Sequence, residues 1–258
     1  MDHKPIVSVI VPVRNAEAFL DQCINGLVNQ SLQSIEIVCV DDESTDASKE
    51  ILLKYARRDD RIKVYSQSKA GAGAARNLGM SRASGEYFAF IDADDFVEAD
   101  YLEEMLGQCR LHDADICLCA ADIYNNSSGA FEKAPWMLDE KLIKSKPFNV
   151  ADAGGDIFFI AKLAPWAKLF SAKFVHAHQL KFQPLQSSND LYFVLMSMCL
   201  AEKITVCSQT LMHYRSGHST NIQSNLQTCE DDFCKALVES RKSLQKIGLY
   251  DKLGRGFS

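Results

Sequence analysis

The stretch that decides the fold is YFAFIDADD, residues 87–95, in which an apolar run passes directly into a cluster of carboxylates. A short apolar run without helical spacing predicts a buried strand. Carboxylates crowded at the end of a strand repel one another unless a cation compensates their charge. Oxygen ligands of this kind suit Mn²⁺ or Mg²⁺. The alternative is an acidic first turn of a helix, but two further polar clusters at strand ends favour a metal site.

Strands and helical patterns alternate over the first 120 residues. The predicted strands cover residues 6–13, 35–40, 61–65 and 87–91, and each is followed by a helical pattern. This alternation predicts an α/β fold with a mostly parallel, open, Rossmann-like sheet and helices on both faces. Ligands of such sheets bind beyond the carboxyl ends of the strands.

The second half of the chain is less regular. We expect a strand over residues 116–120, a loop-rich insertion over 124–149, and helices over 156–163, 189–199 and 230–247. These helices predict a C-terminal helical region that packs behind the first sheet.

Composition excludes several classes of protein. The chain has 258 residues and a formal net charge of −6, and its basic residues are scattered, so we expect no nucleic-acid binding. The longest apolar stretch, residues 191–201, is too short to cross a membrane. Several of the nine cysteines lie in apolar runs, which is typical of free thiols in a reducing compartment. We therefore expect a soluble, cytoplasmic protein that could still work at the inner face of the membrane.

Two more polar clusters follow predicted strands. Arg14 and Asn15 follow the first strand, and Asp41 and Asp42 follow the second. Asp42 is the residue predicted to contact a nucleotide base, because a carboxylate accepts hydrogen bonds from a uracil N–H or a ribose hydroxyl. The alternative is that one of the two aspartates caps the next helix.

Four motifs carry a family resemblance: VIVPVRN at 9–15, VDDESTD at 40–46, GAARNLG at 73–79 and IDADD at 91–95. In this order and spacing the chain resembles the family-two glycosyltransferases, which are inverting enzymes of the GT-A fold. The resemblance implies transfer of a sugar from a UDP-sugar to a hydroxyl acceptor, with Mn²⁺ or Mg²⁺ as cofactor. One departure is Glu43, where the family usually has glycine.

The resemblance also implies roles for individual residues. Asp94 and Asp95 would bind the metal. The donor nucleotide would be held by Pro12, Val13, Arg14, Asn15, Asp42, Ser68, Lys69, Arg76 and Asp94.

A second set of motifs lies in the C-terminal half. PWAKLF at 165–170 and SNDLYF at 188–193 resemble elements that bacterial members place around the acceptor. Asp190 is then the predicted general base, since inversion in one step needs one carboxylate to take the acceptor's proton. Asn189 stands where the family commonly has glutamate. The alternative is that Asp190 only caps the following helix.

The last motif is HYRSGHS, residues 213–219, which resembles a loop that closes over the donor phosphates. It predicts His218 as a further metal ligand and Arg215 or His213 as a phosphate contact, against the alternative of structural histidines. Trp136 and Trp166 are either sugar-stacking or core residues.

Together these patterns predict three regions: residues 1–120 bind the nucleotide-sugar, residues 121–225 of the same domain bind the acceptor and supply the base, and residues 226–258 form a helical extension. The acceptor would be a glycan, glycolipid or glycoprotein, in cell-surface polysaccharide or protein glycosylation. Two rivals remain: a nucleotidyltransferase, which would release pyrophosphate, and a nucleotide-binding protein without turnover.

Overall fold

The computed structural model describes residues 4–68, 70–217 and 229–253. The strands are β1 (Val7–Val13), β2 (Ile35–Asp42), β3 (Ile62–Gln67), β4 (Tyr87–Phe90), β5 (Phe96–Val97), β6 (Ile116–Asn125), β7 (Ala130–Lys133), β8 (Lys168–Ser171) and β9 (Ile204–Ser216). The α-helices are α1 (Glu17–Val28), α2 (Ser48–Ala56), α3 (Ala72–Arg82), α4 (Tyr101–His112), α5 (Val150–Ala153), α6 (Ala172–Ala177), α7 (Leu191–Leu200) and α8 (Cys229–Lys246).

These strands form one mixed sheet in the order β3-β2-β1-β4-β8-β6-β9-β5, with β7 paired to β6. Strands β3, β2, β1 and β4 are parallel, as predicted. The sheet then changes direction, because β8 runs antiparallel to both β4 and β6, while β9 is parallel to β6. The predicted α/β class is confirmed.

The sheet is buried on both faces at β1 and β2, whereas the edge strand β3 is largely accessible. Every residue of β1 and β2 is buried, which explains why their sequences are nearly continuous apolar runs. Helices α1, α2 and α4 contribute to the core on one face, and α3 and α7 to the core on the other. Because β1, β2 and β4 are parallel, their carboxyl ends lie at one edge of the sheet.

The structure corrects the expected organisation of the second half. The helix predicted over 156–163 is wrong: only a 3-10 turn, Gly154–Phe158, forms there. Ala161 instead pairs with Leu138 as a β-bridge, which keeps the chain extended. The predicted loop 124–149 contains β7 and two short 3-10 turns.

The C-terminal half also contributes strands that the helical reading did not predict. Strand β9 is 13 residues long and pairs with β6 along Ile116–Asn125. The predicted division at residue 120 falls within β6, so the first two predicted regions share this sheet. Across the described ranges, no helix combines the length and apolar character needed to traverse a bilayer.

Candidate active site

The carboxylates after β4 occupy a tight turn, which we call the carboxylate loop (residues 92–95). The turn is closed by a hydrogen bond from the Asp95 N–H to the Asp92 carbonyl oxygen, at 3.0 Å. Asp92 and Asp94 are half-buried, whereas Asp95 is only 1% exposed. Burial, and then the charges of Asp94 and Asp92, raise the pKa of Asp95 well above its usual value. The loop is thus a concentration of negative charge at the predicted sheet edge.

One oxygen of this loop fits a cation. Asp95 Oδ1 accepts a hydrogen bond from the Arg215 N–H at 2.8 Å, but within the described residues its buried Oδ2 has no hydrogen-bond partner. A buried carboxylate oxygen beside two further aspartates is the kind of ligand that Mn²⁺ and Mg²⁺ prefer. The metal roles of Asp94 and Asp95 stay predictions.

A cation here would need further ligands. The described part of the chain contains no group of three or more His, Cys, Asp or Glu side chains arranged to hold a metal by themselves. Magnesium commonly binds through one or two carboxylates together with substrate phosphates, which is compatible with this arrangement. The predicted ligand His218 lies outside the described residues.

Asp42 organises the turn after β3. Its carboxylate accepts hydrogen bonds from the N–H groups of Ala70 at 2.8 Å and Gly71 at 3.1 Å, and from Gln67 Nε2 at 2.9 Å. Burial would raise its pKa, but these donors outweigh burial, and the pKa of Asp42 is lowered. The turn they hold carries Ser68, whereas Lys69 lies outside the described residues. The predicted base contact of Asp42 stays a prediction.

The ends of β1 and β2 are tied to each other. The Asn15 side chain accepts a hydrogen bond from the Thr45 N–H at 2.8 Å, and the Asn15 N–H donates to Ser44 Oγ at 3.2 Å. Arg14 contacts Asp42 at 3.4 Å. Glu43 adopts a φ of 57°, which favours glycine, so the departure at this position leaves the turn intact but strained.

Arg76 connects the carboxylate loop to the start of α7. The side chain is buried, and its guanidinium donates to Asp92 Oδ1 at 2.5 Å and to Asn189 Oδ1 at 2.9 Å. The guanidinium carbon lies 5.3 Å from the centre of the Phe182 ring. These partners lie 16 and 113 residues away in sequence. Two nitrogens of the Arg76 guanidinium thus already donate to protein oxygens. The phosphate contact of Arg76 stays a prediction.

Asp190 occupies the N-cap position of α7, but its side chain makes no capping hydrogen bond. Capping through this side chain, the alternative reading, is therefore not observed. Burial raises the pKa of Asp190, and Asp92 adds to this, while the charge of Arg76 opposes it; the net effect is a raised pKa. A carboxylate with a raised pKa is better suited to accept a proton.

Lys168 is an ionisable neighbour whose burial sequence reasoning did not anticipate. The side chain is 2% exposed, and Nζ donates to the carbonyl oxygens of Lys162 at 2.7 Å and Ala164 at 2.9 Å. Burial lowers the pKa of Lys168 to about 8, although the charge of Asp190 acts in the opposite direction. The motif PWAKLF, in which Lys168 is flanked by apolar residues, is the sequence feature that could have indicated a buried lysine.

The expected phosphate contacts on β9 have other partners. Arg215 is 3% exposed, and its guanidinium is bonded to protein oxygens. His213 lies between Asp122, at 2.7 Å from Nδ1, and Glu98, at 3.0 Å from Nε2. Both side chains thus have protein partners at their hydrogen-bonding groups, which favours the structural alternative over the predicted phosphate contact.

The two tryptophans differ in exposure. Trp166 is 5% exposed and stacks on Tyr214, with ring centres 5.6 Å apart, so it is a core residue. Trp136 is 53% exposed, and Lys162 Nζ lies 5.3 Å from its ring centre. Of the two tryptophans, only Trp136 is exposed enough to stack on a sugar.

The structure is an α/β protein with clustered carboxylates after a parallel strand, and comparison with known proteins gives the family. The sequence profile of glycosyl transferase family 2 matches residues 8–164. The chain belongs to this family.

Individual relatives agree. The chain is 33% identical over 224 residues to EpsH of Bacillus subtilis (strain 168), named as a glycosyltransferase, with 85% of this chain and 63% of EpsH covered. The chain thus spans less than two thirds of the length of that relative.

Solved structures show the same fold. The S. aureus TarS 1-349 structure in complex with UDP-GlcNAc has a TM-score of 0.80 and 22% identity, covering 97% of this chain and 72% of that chain. The mannosyltransferase PcManGT from Pyrobaculum calidifontis, in complex with GDP-Man and Mn²⁺, has a TM-score of 0.66 and 15% identity, covering 95% of this chain and 65% of that chain. The predicted GT-A type of α/β fold is confirmed.

Proposed function

We propose that this chain is an inverting glycosyltransferase that moves a sugar from a UDP-sugar to a hydroxyl group of a glycan, glycolipid or glycoprotein. One observation carries the proposal: the buried guanidinium of Arg76 bonds both Asp92 of the carboxylate loop and Asn189, next to Asp190. This bridging contact supports a single site that contains both the predicted donor contacts and the predicted base.

Asp190 is the proposed general base. Its carboxylate takes the proton of the acceptor hydroxyl as the oxygen attacks the anomeric carbon from the side opposite the diphosphate. The new C–O bond forms as the bond to the diphosphate breaks, and UDP leaves with the bonding electrons. Burial raises the pKa of Asp190, which makes it a stronger base than an exposed aspartate, and its side chain is not used to cap α7.

Asp94 and Asp95 are the proposed metal ligands, with His218 as a further proposed ligand. When bound, Mn²⁺ or Mg²⁺ offsets the charge on the leaving diphosphate. The chain's own cations supplement this: Arg76 bonds Asp92 of the carboxylate loop, and Arg14 contacts Asp42. Lys69 is a further proposed phosphate contact on the basis of its motif. Asp42 and Ser68, in the turn that Asp42 holds, complete the proposed nucleotide contacts with Pro12, Val13 and Asn15.

The choice of UDP-sugar rests on the family motifs and on TarS, which was solved with UDP and with UDP-GlcNAc. A relative from Bacillus subtilis (strain 168), which bears the name "Putative teichuronic acid biosynthesis glycosyltransferase TuaG", supports a setting in cell-surface polysaccharide assembly. We place the reaction in the cytoplasm at the inner face of the membrane. Eight cysteines with described side chains are free thiols, which supports a reducing compartment.

Product release tests the proposal. The chain is incubated with UDP-GlcNAc, UDP-glucose, UDP-galactose or GDP-mannose, with Mn²⁺ or with EDTA, and free nucleotide and pyrophosphate are measured. We expect UDP release that needs Mn²⁺ or Mg²⁺ and is abolished by EDTA. In a parallel incubation with UTP and glucose 1-phosphate, pyrophosphate release would indicate a nucleotidyltransferase. GDP release alone in the first incubation would contradict the choice of donor. Tight UDP binding without release from any donor and acceptor would indicate a binding protein.

A further inference from the structure

We propose that Arg215 is a positioning residue that holds the carboxylate loop in its cation-binding shape, without itself contacting the substrate. This inference rests on the proposed function, because it assigns a role in preparing the proposed metal site.

Arg215 makes two hydrogen bonds to consecutive residues of the loop. Its backbone N–H donates to Asp95 Oδ1 at 2.8 Å, and its Nε donates to the Asp94 carbonyl oxygen at 2.6 Å. One bond fixes a side chain, and the other fixes the neighbouring peptide unit. Together they restrict both the backbone of the loop and the rotamer of its buried aspartate.

The guanidinium is itself held from several sides. Nη1 donates to Asn126 Oδ1 at 2.8 Å, and Nη2 donates to Gln22 Oε1 at 2.6 Å. Three rings surround it, those of Phe19 at 4.9 Å, Tyr124 at 5.1 Å and Phe96 at 5.3 Å from the guanidinium carbon. A planar cation with five donors fits such a cage, and an ammonium group does not reproduce it. With 3% of its surface exposed, this side chain is a fixed part of the structure.

The strand that carries Arg215 is anchored to the segment that follows the loop. His213 pairs with Phe96 of β5, the first residue after the loop. The imidazole also bonds Glu98 on that side and Asp122 of β6 on the other. Strand β9 therefore cannot shift relative to the loop without breaking these contacts.

A rigid support of this kind lowers the cost of binding a cation. Three aspartates within four residues repel one another, and an unsupported loop would separate them when no cation is bound. Holding them in place beforehand improves metal affinity, because less ordering remains to be done on binding. The expected signature of Arg215 is a change in metal affinity, not only a change in stability.

The test compares Arg215→Lys with a matched control, Arg61→Lys. Like Arg215, Arg61 donates to a backbone carbonyl oxygen, that of Val28, and to a side chain, that of Asp59. It precedes β3, at the other end of the strand order from β9 and β5. Two quantities are measured on the full chain: amide hydrogen exchange of peptides covering residues 91–98, and Mn²⁺ binding by titration calorimetry in the presence of UDP.

We expect Arg215→Lys to speed exchange over residues 91–98 by roughly tenfold, since a lost charged hydrogen bond is worth about that factor, and to weaken Mn²⁺ binding by a similar factor. Arg61→Lys should change neither. Unchanged exchange and unchanged Mn²⁺ affinity in Arg215→Lys would overturn the proposal, as would faster exchange without any loss of Mn²⁺ affinity.

Two further variants guard against misfolding. Gln22→Leu and Asn126→Ala each remove one acceptor of the guanidinium and leave its loop contacts in place, and each should produce a smaller change in the same direction. If the unaltered chain shows no nucleotide release from any donor, the proposed function fails, but the exchange and Mn²⁺ measurements still decide the role of Arg215.

Discussion

Replacing Asp190 with asparagine is the most direct test of the chemistry, because it removes the proposed proton acceptor and keeps the shape of the side chain. A general base contributes about 10²–10⁴-fold to a rate, which corresponds to about 3–5 kcal/mol of transition-state stabilisation. We expect Asp190→Asn to lose turnover by that factor and to bind UDP as the unaltered chain does. The assay is UDP release under saturating donor and Mn²⁺, with UDP binding measured by calorimetry.

The structure also predicts how this variant behaves on unfolding. The Asp190 side chain makes no capping hydrogen bond, so the substitution removes no helix contact. Its pKa is raised in the folded state, so the ionised form is disfavoured there, and Asp190 lowers stability once the pH rises above its unfolded pKa of about 3.9. Asp190→Asn should therefore be at least as stable as the unaltered chain at pH 7, and the difference should vanish below about pH 4.

Asp232→Asn is the matched control. Asp232 accepts hydrogen bonds from the N–H groups of Gln186 at 3.0 Å and Ser187 at 3.3 Å, so it holds the segment just before Asp190 without belonging to the proposed mechanism. This variant should lose stability and keep most of its turnover. An Asp190→Asn enzyme with turnover within about threefold of the unaltered chain would refute the assignment of the base, since no general base of this kind contributes so little.

Three further substitutions test the surrounding structure by urea unfolding. Glu43→Gly should stabilise the chain by about 0.5 kcal/mol. Glycine relieves the backbone strain of the left-handed φ of 57°, and this gain slightly exceeds the cost of the greater conformational entropy of the unfolded chain. A loss of stability would show that Glu43 is not strained. Gly73→Ala should lower the free energy of unfolding by about 2 kcal/mol. The added Cβ would collide with the Gln183 carbonyl oxygen and press on the Asn189 side chain. Ala74→Gly is the control substitution in the same helix. Asp42→Asn should destabilise the chain at pH 7. Because the folded pKa of Asp42 is lowered, its ionised form stabilises the fold above the unfolded pKa of about 3.9. This contribution is lost as the pH falls through the folded pKa. A stability difference between the variant and the unaltered chain that does not change with pH would argue against this role of Asp42.

The sequence alone determined the first four strands, the helices between them and the position of the carboxylates. Strands β1 and β2 are buried on both faces, so their apolar runs mark them without reference to the rest of the chain. The residues after these strands must meet at one edge, because parallel strands align their carboxyl ends. Local pattern was sufficient for this part since each element is defined by its own residues.

Only the tertiary structure decided which carboxylates are accessible and what holds them. Asp94 and Asp95 are adjacent in sequence, yet one is half-buried and the other is almost fully buried against Arg215, which is 120 residues away. Strand β9 carries a register irregularity opposite Cys119–Ala121, which interrupts the alternation that would have revealed it. Contacts between distant segments have no local signature, because their free energy comes from partners that the chain brings together only after the sheet has formed.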